Sequence, residues 1–145
     1  IQEVFQTVRP LAQQKGIRIT ENIQEGLHTI KADALRLRQV LINLVNNAVK
    51  FTPKSGEVRV IARKYTDGIE FQVQDTGIGI PEDDLSYVFD RFYRVEYNRQ
   101  RKQNKGGSGL GLTIVKQVVE AHGGKISVTS NNNGTTFTFS IPQKN

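Results

Sequence analysis

The chain has 145 residues, of which 37% are hydrophobic and 23% charged. That length can bury one core, so residues 1–145 are predicted to form a single domain. No apolar run approaches the roughly 20 residues that a membrane helix needs, and the composition suits a globular protein. The chain has no cysteine, which excludes disulfides and thiolate metal sites, and its two histidines are too few for a convincing zinc site.

The net charge of +6 is compatible with nucleic acid, acidic lipid or a polyanionic small molecule such as a nucleoside triphosphate as partner. Charge alone does not choose among these partners. The first residue is Ile rather than Met, and the opening stretch lacks a signal-peptide pattern. We therefore expect the chain to be a fragment of a longer protein.

The first part of the chain predicts two helices separated by a strand. Apolar residues recur at helical spacing over residues 1–14, and Gly16 ends the pattern. Residues 17–23 alternate as a strand does. Asp33 is a candidate N-cap for a long helix, whose apolar stripe continues until the Thr-Pro pair at 52–53.

The second part of the chain predicts four strands and two helices. An Asp-Gly turn should join the first two strands as an antiparallel hairpin. A polar, basic segment at 90–108 has no apolar period and is typical of a loop that is either functional or disordered. The fold is predicted to be a two-layer α/β (α+β) sandwich, with a mixed, mostly antiparallel sheet of about five strands and about three helices on one face. The predicted elements are strands at 57–65 and 69–74, helices at 82–89 and 110–122, and strands at 125–130 and 135–141.

Three polar residues stand out on the long predicted helix. Asn43, Asn47 and Lys50 are spaced so that they project from nearly one side. An amide oxygen is a hard neutral ligand that suits Mg²⁺, and a lysine one turn further on can contact a phosphate. The alternative is a set of solvent-facing polar residues. Asn46 lies beside this side of the helix and is left out of the predicted site.

The glycine-bearing segment Asp75–Pro81 follows a predicted strand directly. Gly77 and Gly79 permit a tight backbone that can approach a flat ligand closely. A partly buried Asp75 carboxylate can accept a hydrogen bond from an exocyclic amine such as that of adenine. The alternative is an aspartate that only opens a turn.

A second glycine-rich segment, Gly106–Leu112, comes before a predicted helix, where backbone amides and the helix dipole can receive phosphate oxygens. The segment lacks the Gly-Lys-Ser/Thr of a Walker loop and the glycine spacing of a dinucleotide loop. A flexible hinge is the alternative. The stretch before it is either a lid that supplies charge to phosphates or a solvated loop, and its basic residues are Arg91, Arg94, Arg99, Arg101, Lys102 and Lys105.

In order and spacing, five segments resemble the N, G1, F, G2 and G3 boxes of histidine kinases. The resemblance covers nearly the whole chain. It implies the Bergerat ATP-binding fold, shared with DNA gyrase-type ATPases, in which ATP lies between the helices and a flexible lid, here residues 90–108. The implied cofactors are ATP and Mg²⁺. The matching segments are Asn43 to Phe51, Asp75 to Ile80, Phe89 to Arg94, Gly107 to Gly111, and Gly134-Thr135-Thr136.

The resemblance implies a role for each matching residue. Asn47 is implied as the Mg²⁺ ligand, with Asn43 as its neighbour at the triphosphate and Lys50 as a phosphate contact. Asn43 and Lys50 are the residues assigned to catalysis. Other residues would surround the bound nucleotide: Phe51, Asp75, Gly77, Gly79, Ile80 and Thr136 on the adenine side, and Arg94, Gly107, Gly109, Leu110 and Gly111 beside the lid and phosphates.

The resemblance also implies the reaction. Hydrolysing members of the superfamily have a glutamate that activates water where this chain has Asn43, and an amide cannot act as a general base. The implied reaction is therefore in-line transfer of the γ-phosphoryl group of Mg-ATP to a histidine in two-component signalling. His28 and His122 both lack the acidic residue that follows the family's acceptor histidine. We expect that acceptor on a separate dimerisation segment of the same protein, so this monomeric fragment should bind Mg-ATP without phosphorylating itself.

Further expectations concern the full-length protein. It would act on a response regulator and be a membrane-anchored sensor, with this domain in the cytoplasm. Two alternatives stay open, namely a non-catalytic nucleotide-binding module and an ATP hydrolase of the same superfamily. Nucleic acid is not expected as a partner, because the basic residues concentrate in the predicted lid instead of forming a stripe with interleaved aromatics.

Overall fold

The computed structural model describes residues 2–26, 33–66, 68–90 and 110–142. None of the described helices is long and apolar enough to cross a membrane. The described helices and strands are, in chain order, α1 (Gln2–Lys15), β1 (Arg18–Ile23), α2 (Ala34–Phe51), β2 (Glu57–Tyr65), β3 (Gly68–Asp75), α3 (Glu82–Leu85), α4 (Leu110–Ala121), β4 (Lys125–Asn131) and β5 (Gly134–Pro142).

The described strands form one open sheet in the order β1-β2-β3-β5-β4. β1 pairs parallel with β2, and every other neighbouring pair is antiparallel. The predicted hairpin of β2 and β3 is present, with Tyr65 opposite Gly68. The second predicted hairpin, of β4 and β5, closes where Asn131 lies opposite Gly134. The prediction of a mixed, mostly antiparallel sheet is therefore confirmed.

One face of this sheet is buried under the helices, because apolar residues alternate along its central strands. In register, Val60 of β2 lies opposite Val73 of β3, which lies opposite Phe137 of β5. In the next row, Phe71 stacks on Phe139 with ring centroids 4.9 Å apart. Each of these side chains is buried. The sheet side of the core is thus built from rows of residues that alternate with polar ones.

The helix layer is centred on α2, which packs between α1 and α4 and against β2 and β3. Asp33 caps its N-terminus as predicted, and the Asp33 carboxylate accepts a hydrogen bond from the Arg36 amide. Phe5 and Val8 of α1 are buried in the same core as the apolar residues of α2. The buried stripe of α2 consists of Val40, Leu41, Leu44, Val45, Ala48 and Val49.

The helix predicted over 82–89 is shorter in the structure. α3 ends at Leu85, and a turn continues to Phe89. Its first turn has three acidic residues, which favour a helix start, but α3 has no side-chain cap and no buried residue that would extend it. Of the lid predicted at 90–108, only Asp90 belongs to the described residues.

Candidate functional site

The predicted triphosphate side is carried by α2. Asn43, Asn47 and Lys50 are all partly buried, and they lie beside the stripe that packs into the core. The helical repeat turns the three side chains towards one flank of α2. Lys50 also lies in the last helical turn, where a cation interacts favourably with the helix dipole. The sequence prediction that these residues share one side of a helix is confirmed.

The C-terminal end of α2 is bonded directly to the glycine-bearing segment that follows β3. The backbone amide of Ile78 donates to the carbonyl of Phe51, with the two atoms 3.3 Å apart. One turn earlier, the Thr52 hydroxyl donates to the Ala48 carbonyl at 2.6 Å. Phe51, predicted to lie against adenine, is therefore the residue at which the helix and this segment meet.

Gly77 and Gly79 are required by the close approach of two other parts of the chain. A Cβ atom on Gly77 would lie 2.5 Å from the carbonyl oxygen of Phe51. Gly79 has φ +79°, and a Cβ there would lie 2.1 Å from the carbonyl oxygen of Asn131. Both distances are too short for any side chain. The predicted tight backbone is confirmed, and it packs residues 77–79 between α2 and the end of β4.

Asp75 is the last residue of β3, and its carboxylate is fixed by two backbone hydrogen bonds. The amide of Gly77 donates to Oδ1 at 2.8 Å, and the amide of Thr135 donates to the same oxygen at 3.2 Å. Burial raises the pKa of Asp75 above its usual range, and the two hydrogen bonds partly offset this rise. The carboxylate therefore has a fixed position in partly desolvated surroundings.

Two hydroxyl groups outside the predicted site, those of Ser130 and Thr135, lie beside Asp75 and the glycine-bearing segment. The Ser130 hydroxyl accepts a hydrogen bond from the amide of Ile80 at 2.7 Å. It also lies 2.9 Å from the hydroxyl of Thr135 and 3.1 Å from the carbonyl of Gly134. Thr135 is only 6% exposed. These bonds join the end of the glycine-bearing segment to both strands of the β4–β5 hairpin.

Thr136, assigned to the adenine side by resemblance, lies on the other face of the sheet. It pairs with Gln74 of β3, whereas Thr135 pairs with Asp75. Because successive side chains of a strand point to opposite faces, Thr135 shares the face of Asp75 and Thr136 does not. Thr135, and not Thr136, is therefore the threonine beside Asp75, and its amide also bonds to the Asp75 carboxylate.

The predicted phosphate end is described only where α4 begins. Leu110 and Gly111 are its first two residues, as predicted for the end of the glycine-rich segment. The hydroxyl of Thr113 donates to the carbonyl of Phe89 at 2.9 Å, which ties α4 to the turn after α3. The other residues predicted here lie outside the described part of the chain; they are Arg94, Arg99, Arg101, Lys102, Lys105, Gly107 and Gly109.

Residues 32–145 match the profile of the histidine kinase-, DNA gyrase B- and HSP90-like ATPases. The chain belongs to this family. Among curated proteins it is 40% identical to the circadian input-output histidine kinase CikA of Synechococcus elongatus, over 98% of this chain and 19% of CikA. It is 39% identical to the sensor histidine kinase WalK of Bacillus subtilis, over 92% of this chain and 22% of WalK. The chain thus spans about a fifth of each relative's length.

Solved structures of histidine kinases have the same fold. The catalytic domain of histidine kinase ThkA superposes with a TM-score of 0.82 at 28% identity, covering 98% of this chain and 88% of that domain. Full-length ShkA in complex with AMPPNP gives a TM-score of 0.84 at 36% identity, covering 97% of this chain and 28% of ShkA. The described sheet and helices are therefore those of a histidine kinase catalytic domain, the Bergerat fold.

Among the described residues, the side-chain donors that the resemblance assigns to a metal ion are amide oxygens. Within the described ranges, no three His, Cys, Asp or Glu side chains lie close enough together to hold a metal. Asn43 and Asn47 offer hard oxygen donors on one flank of α2. This set fits Mg²⁺, which commonly keeps several waters and takes few protein ligands together with substrate phosphates. It does not suit a metal that needs a complete set of protein ligands.

Proposed function

We propose that this domain binds Mg-ATP between Asp75 and the polar flank of α2, and donates the γ-phosphoryl group to a histidine. The acceptor would lie on a separate dimerisation and phosphoacceptor segment of the same protein. The observation that carries this proposal is the Asp75 carboxylate, which is fixed by the Gly77 and Thr135 amides at the start of the glycine-bearing segment. Membership of the ATPase family supports it.

At the adenine end, Asp75 reads the base. Both described hydrogen bonds to this carboxylate end on Oδ1, so Oδ2 can accept a hydrogen bond from the exocyclic amine of adenine. Because the group is partly desolvated, such a bond is stronger than it would be in water. Gly77 and Gly79 keep the neighbouring backbone free of side chains, and Phe51 and Ile80 supply apolar surface beside the base.

At the triphosphate end, Asn47 holds Mg²⁺ through its amide oxygen, and Asn43 and Lys50 contact the phosphates from the same flank of α2. The chemistry that Mg²⁺ would supply when bound there is neutralisation of charge on the phosphate oxygens. The remaining groups at this end are the backbone at the start of α4 and the lid of residues 90–108, with Arg94, Gly107, Gly109, Leu110 and Gly111. Because an amide at position 43 cannot deprotonate water, transfer to histidine is favoured over hydrolysis.

The partners follow from the reaction. One solved structure contains histidine kinase ThkA in complex with the response regulator TrrA, and it superposes on 99% of this chain with a TM-score of 0.80 at 28% identity. By analogy, the full-length kinase passes its phosphoryl group to a response regulator. We place the domain in the cytoplasm as part of a membrane-anchored sensor, and we propose that the isolated domain, residues 1–145, is a monomer.

The first test is titration calorimetry with Mg-ATP on the wild type and on Asp75→Ala. Loss of a hydrogen bond to a charged group costs roughly 1.5–3 kcal/mol, which weakens binding about 10- to 150-fold. Gln74→Ala is the matched control, because Gln74 is the preceding residue and lies on the other face of the sheet. Thermal melts check that each variant is folded. Equal weakening in both variants, or none in Asp75→Ala, would contradict the adenine assignment.

Enzyme assays separate the proposed function from its two alternatives. With the acceptor segment of the parent protein supplied, the domain should form acid-labile phosphohistidine on that segment and none on itself. A non-catalytic nucleotide-binding module would bind Mg-ATP without transfer to the supplied segment. An ATP hydrolase would release phosphate steadily in the absence of any acceptor. Phosphohistidine on the isolated chain would show that an acceptor histidine lies within residues 1–145, which contradicts the proposed separate acceptor segment.

A further inference from the structure

The last turn of α2 contains carbonyl groups that the helix cannot satisfy by itself. A helical carbonyl accepts from the amide four residues later, and the last four carbonyls have no such donor. For Val49 the donor would be Pro53, which has no N–H group. Two of the four carbonyls are satisfied by the Thr52 hydroxyl and the Ile78 amide. The carbonyl of Val49 also receives a long bond from the Thr52 amide, with the two atoms 3.4 Å apart, and both it and the carbonyl of Lys50 can accept a further side-chain donor from elsewhere.

Lys15, the last residue of α1, supplies that donor for both carbonyls. Its Nζ lies 2.9 Å from the carbonyl oxygen of Val49 and 2.5 Å from that of Lys50. Burial lowers the pKa of Lys15 from its ordinary value, so the ammonium is partly removed from water at this position. Three ammonium protons allow one lysine to satisfy two carbonyls at once, and a cation is favourable at a helix C-terminus.

The bonded turn carries two residues of the proposed nucleotide site. Lys50, whose carbonyl binds Lys15, belongs to the flank of α2 that is proposed to face the triphosphate. Phe51 comes next, and its carbonyl supports the amide of Ile78 between Gly77 and Gly79. A shift of this turn therefore moves residues on both sides of the proposed site.

We propose that Lys15 is a positioning residue for nucleotide binding. It fixes the last turn of α2 and, through the Phe51 carbonyl, the segment of residues 75–80. The inference rests on the proposed function where it concerns the nucleotide. A second contact also joins the end of α1 to the turn that follows α2, because the Ser55 amide donates to the carbonyl of Gly16 at 2.9 Å.

The experiment compares Lys15→Met, which removes the donor but keeps the length of the side chain, with Lys15→Arg, which keeps a charged donor. Lys54→Met is the matched control, because Lys54 is an exposed lysine in the turn that follows α2. Mg-ATP affinity is measured by titration at a temperature where melts show every variant folded. Hydrogen exchange of the Ile78 amide is measured on the nucleotide-free protein.

We expect Lys15→Met to weaken Mg-ATP binding about tenfold and to accelerate exchange of the Ile78 amide. Lys15→Arg should restore most of the affinity, and Lys54→Met should stay within about twofold of the wild type. If Lys15→Met only lowers the melting temperature and leaves affinity and Ile78 exchange unchanged, Lys15 merely stabilises the fold and the proposal is wrong. Should that variant fail to fold, Lys15→Gln takes its place under the same criteria.

The two measurements distinguish failure of this inference from failure of the proposed function. If the wild type does not bind Mg-ATP, the proposed function fails. Exchange of the Ile78 amide still tests the coupling, because it needs no nucleotide. Faster exchange in Lys15→Met but not in Lys54→Met then supports the positioning of residues 75–80, and equal exchange overturns it.

Discussion

The two faces of the sheet use the same alternation of side chains for different purposes. On the helix-covered face, the apolar row of β3 ends at Asp75, and the row of β5 begins at Thr135, its partner in register. On the other face, the side chains of successive polar residues bond to one another, with Gln74 donating to Gln72 at 3.1 Å and Gln72 to Glu70 at 3.4 Å. The proposed site therefore lies where polar residues end the apolar rows of the covered face.

The largest expected difference between the faces is in folding stability. Phe139 is 1% exposed and stacks on Phe71, so Phe139→Ala should lower the free energy of unfolding by about 3–5 kcal/mol. Thr138→Ala, one residue earlier and on the other face, should change it by about 0.5 kcal/mol or less. Chemical denaturation followed by circular dichroism measures both. Similar losses in the two variants would mean that the second face is also covered.

Much of this arrangement can be predicted from the sequence, because its local signals are strong. The Asp33 cap, the apolar stripe of α2 and both hairpins are all predicted close to their observed bounds. The sequence also indicates that Thr135 lies on the apolar face of its strand, because Phe137, Phe139 and Ile141 follow it at every second position. The assignment to Thr136 followed a motif and did not use this period.

Other parts of the site depend on contacts between residues distant in the sequence. The Lys15 bonds to α2 cross 34 and 35 positions, and the bond from Ile80 to Ser130 crosses 50. A lysine at a helix end and a serine in a strand are ordinary residues at those positions, so neither suggests its partner. Such pairs follow only from the strand order and the packing of α1 on α2.

A second prediction concerns the pH dependence of stability, which Asp75 should influence and its neighbour Gln74 should not. Burial raises the pKa of the Asp75 carboxyl in the folded state, so the folded protein binds this proton more readily than the unfolded chain does. The stabilising contribution is therefore complete below the unfolded pKa of about 3.9, and it is lost as the pH rises through the raised folded value.

Asp75→Asn removes this titration and keeps an oxygen that can accept the two backbone hydrogen bonds. Its stability relative to the wild type should increase as the pH rises through that window, while its Mg-ATP affinity at neutral pH decreases. Urea denaturation at a series of pH values measures the first effect, and Gln74→Ala should show a constant difference. If the relative stability of Asp75→Asn falls with rising pH, hydrogen bonding outweighs burial at this carboxylate.

The smallest expected effect separates the two adjacent threonines of β5. Thr135→Val removes a buried hydroxyl that lies 2.9 Å from the Ser130 hydroxyl, so it should cost about 1 kcal/mol of stability and weaken Mg-ATP binding up to about fivefold. Thr136→Val changes a residue on the other face, where a β-branched side chain is retained, and should leave binding unchanged. Because the two substitutions are chemically identical, only the face of the sheet distinguishes them. A loss of affinity confined to Thr136→Val would mean that the nucleotide contacts the face away from the helices. Thr136, the residue that the motif indicates, would then be the adenine-side threonine.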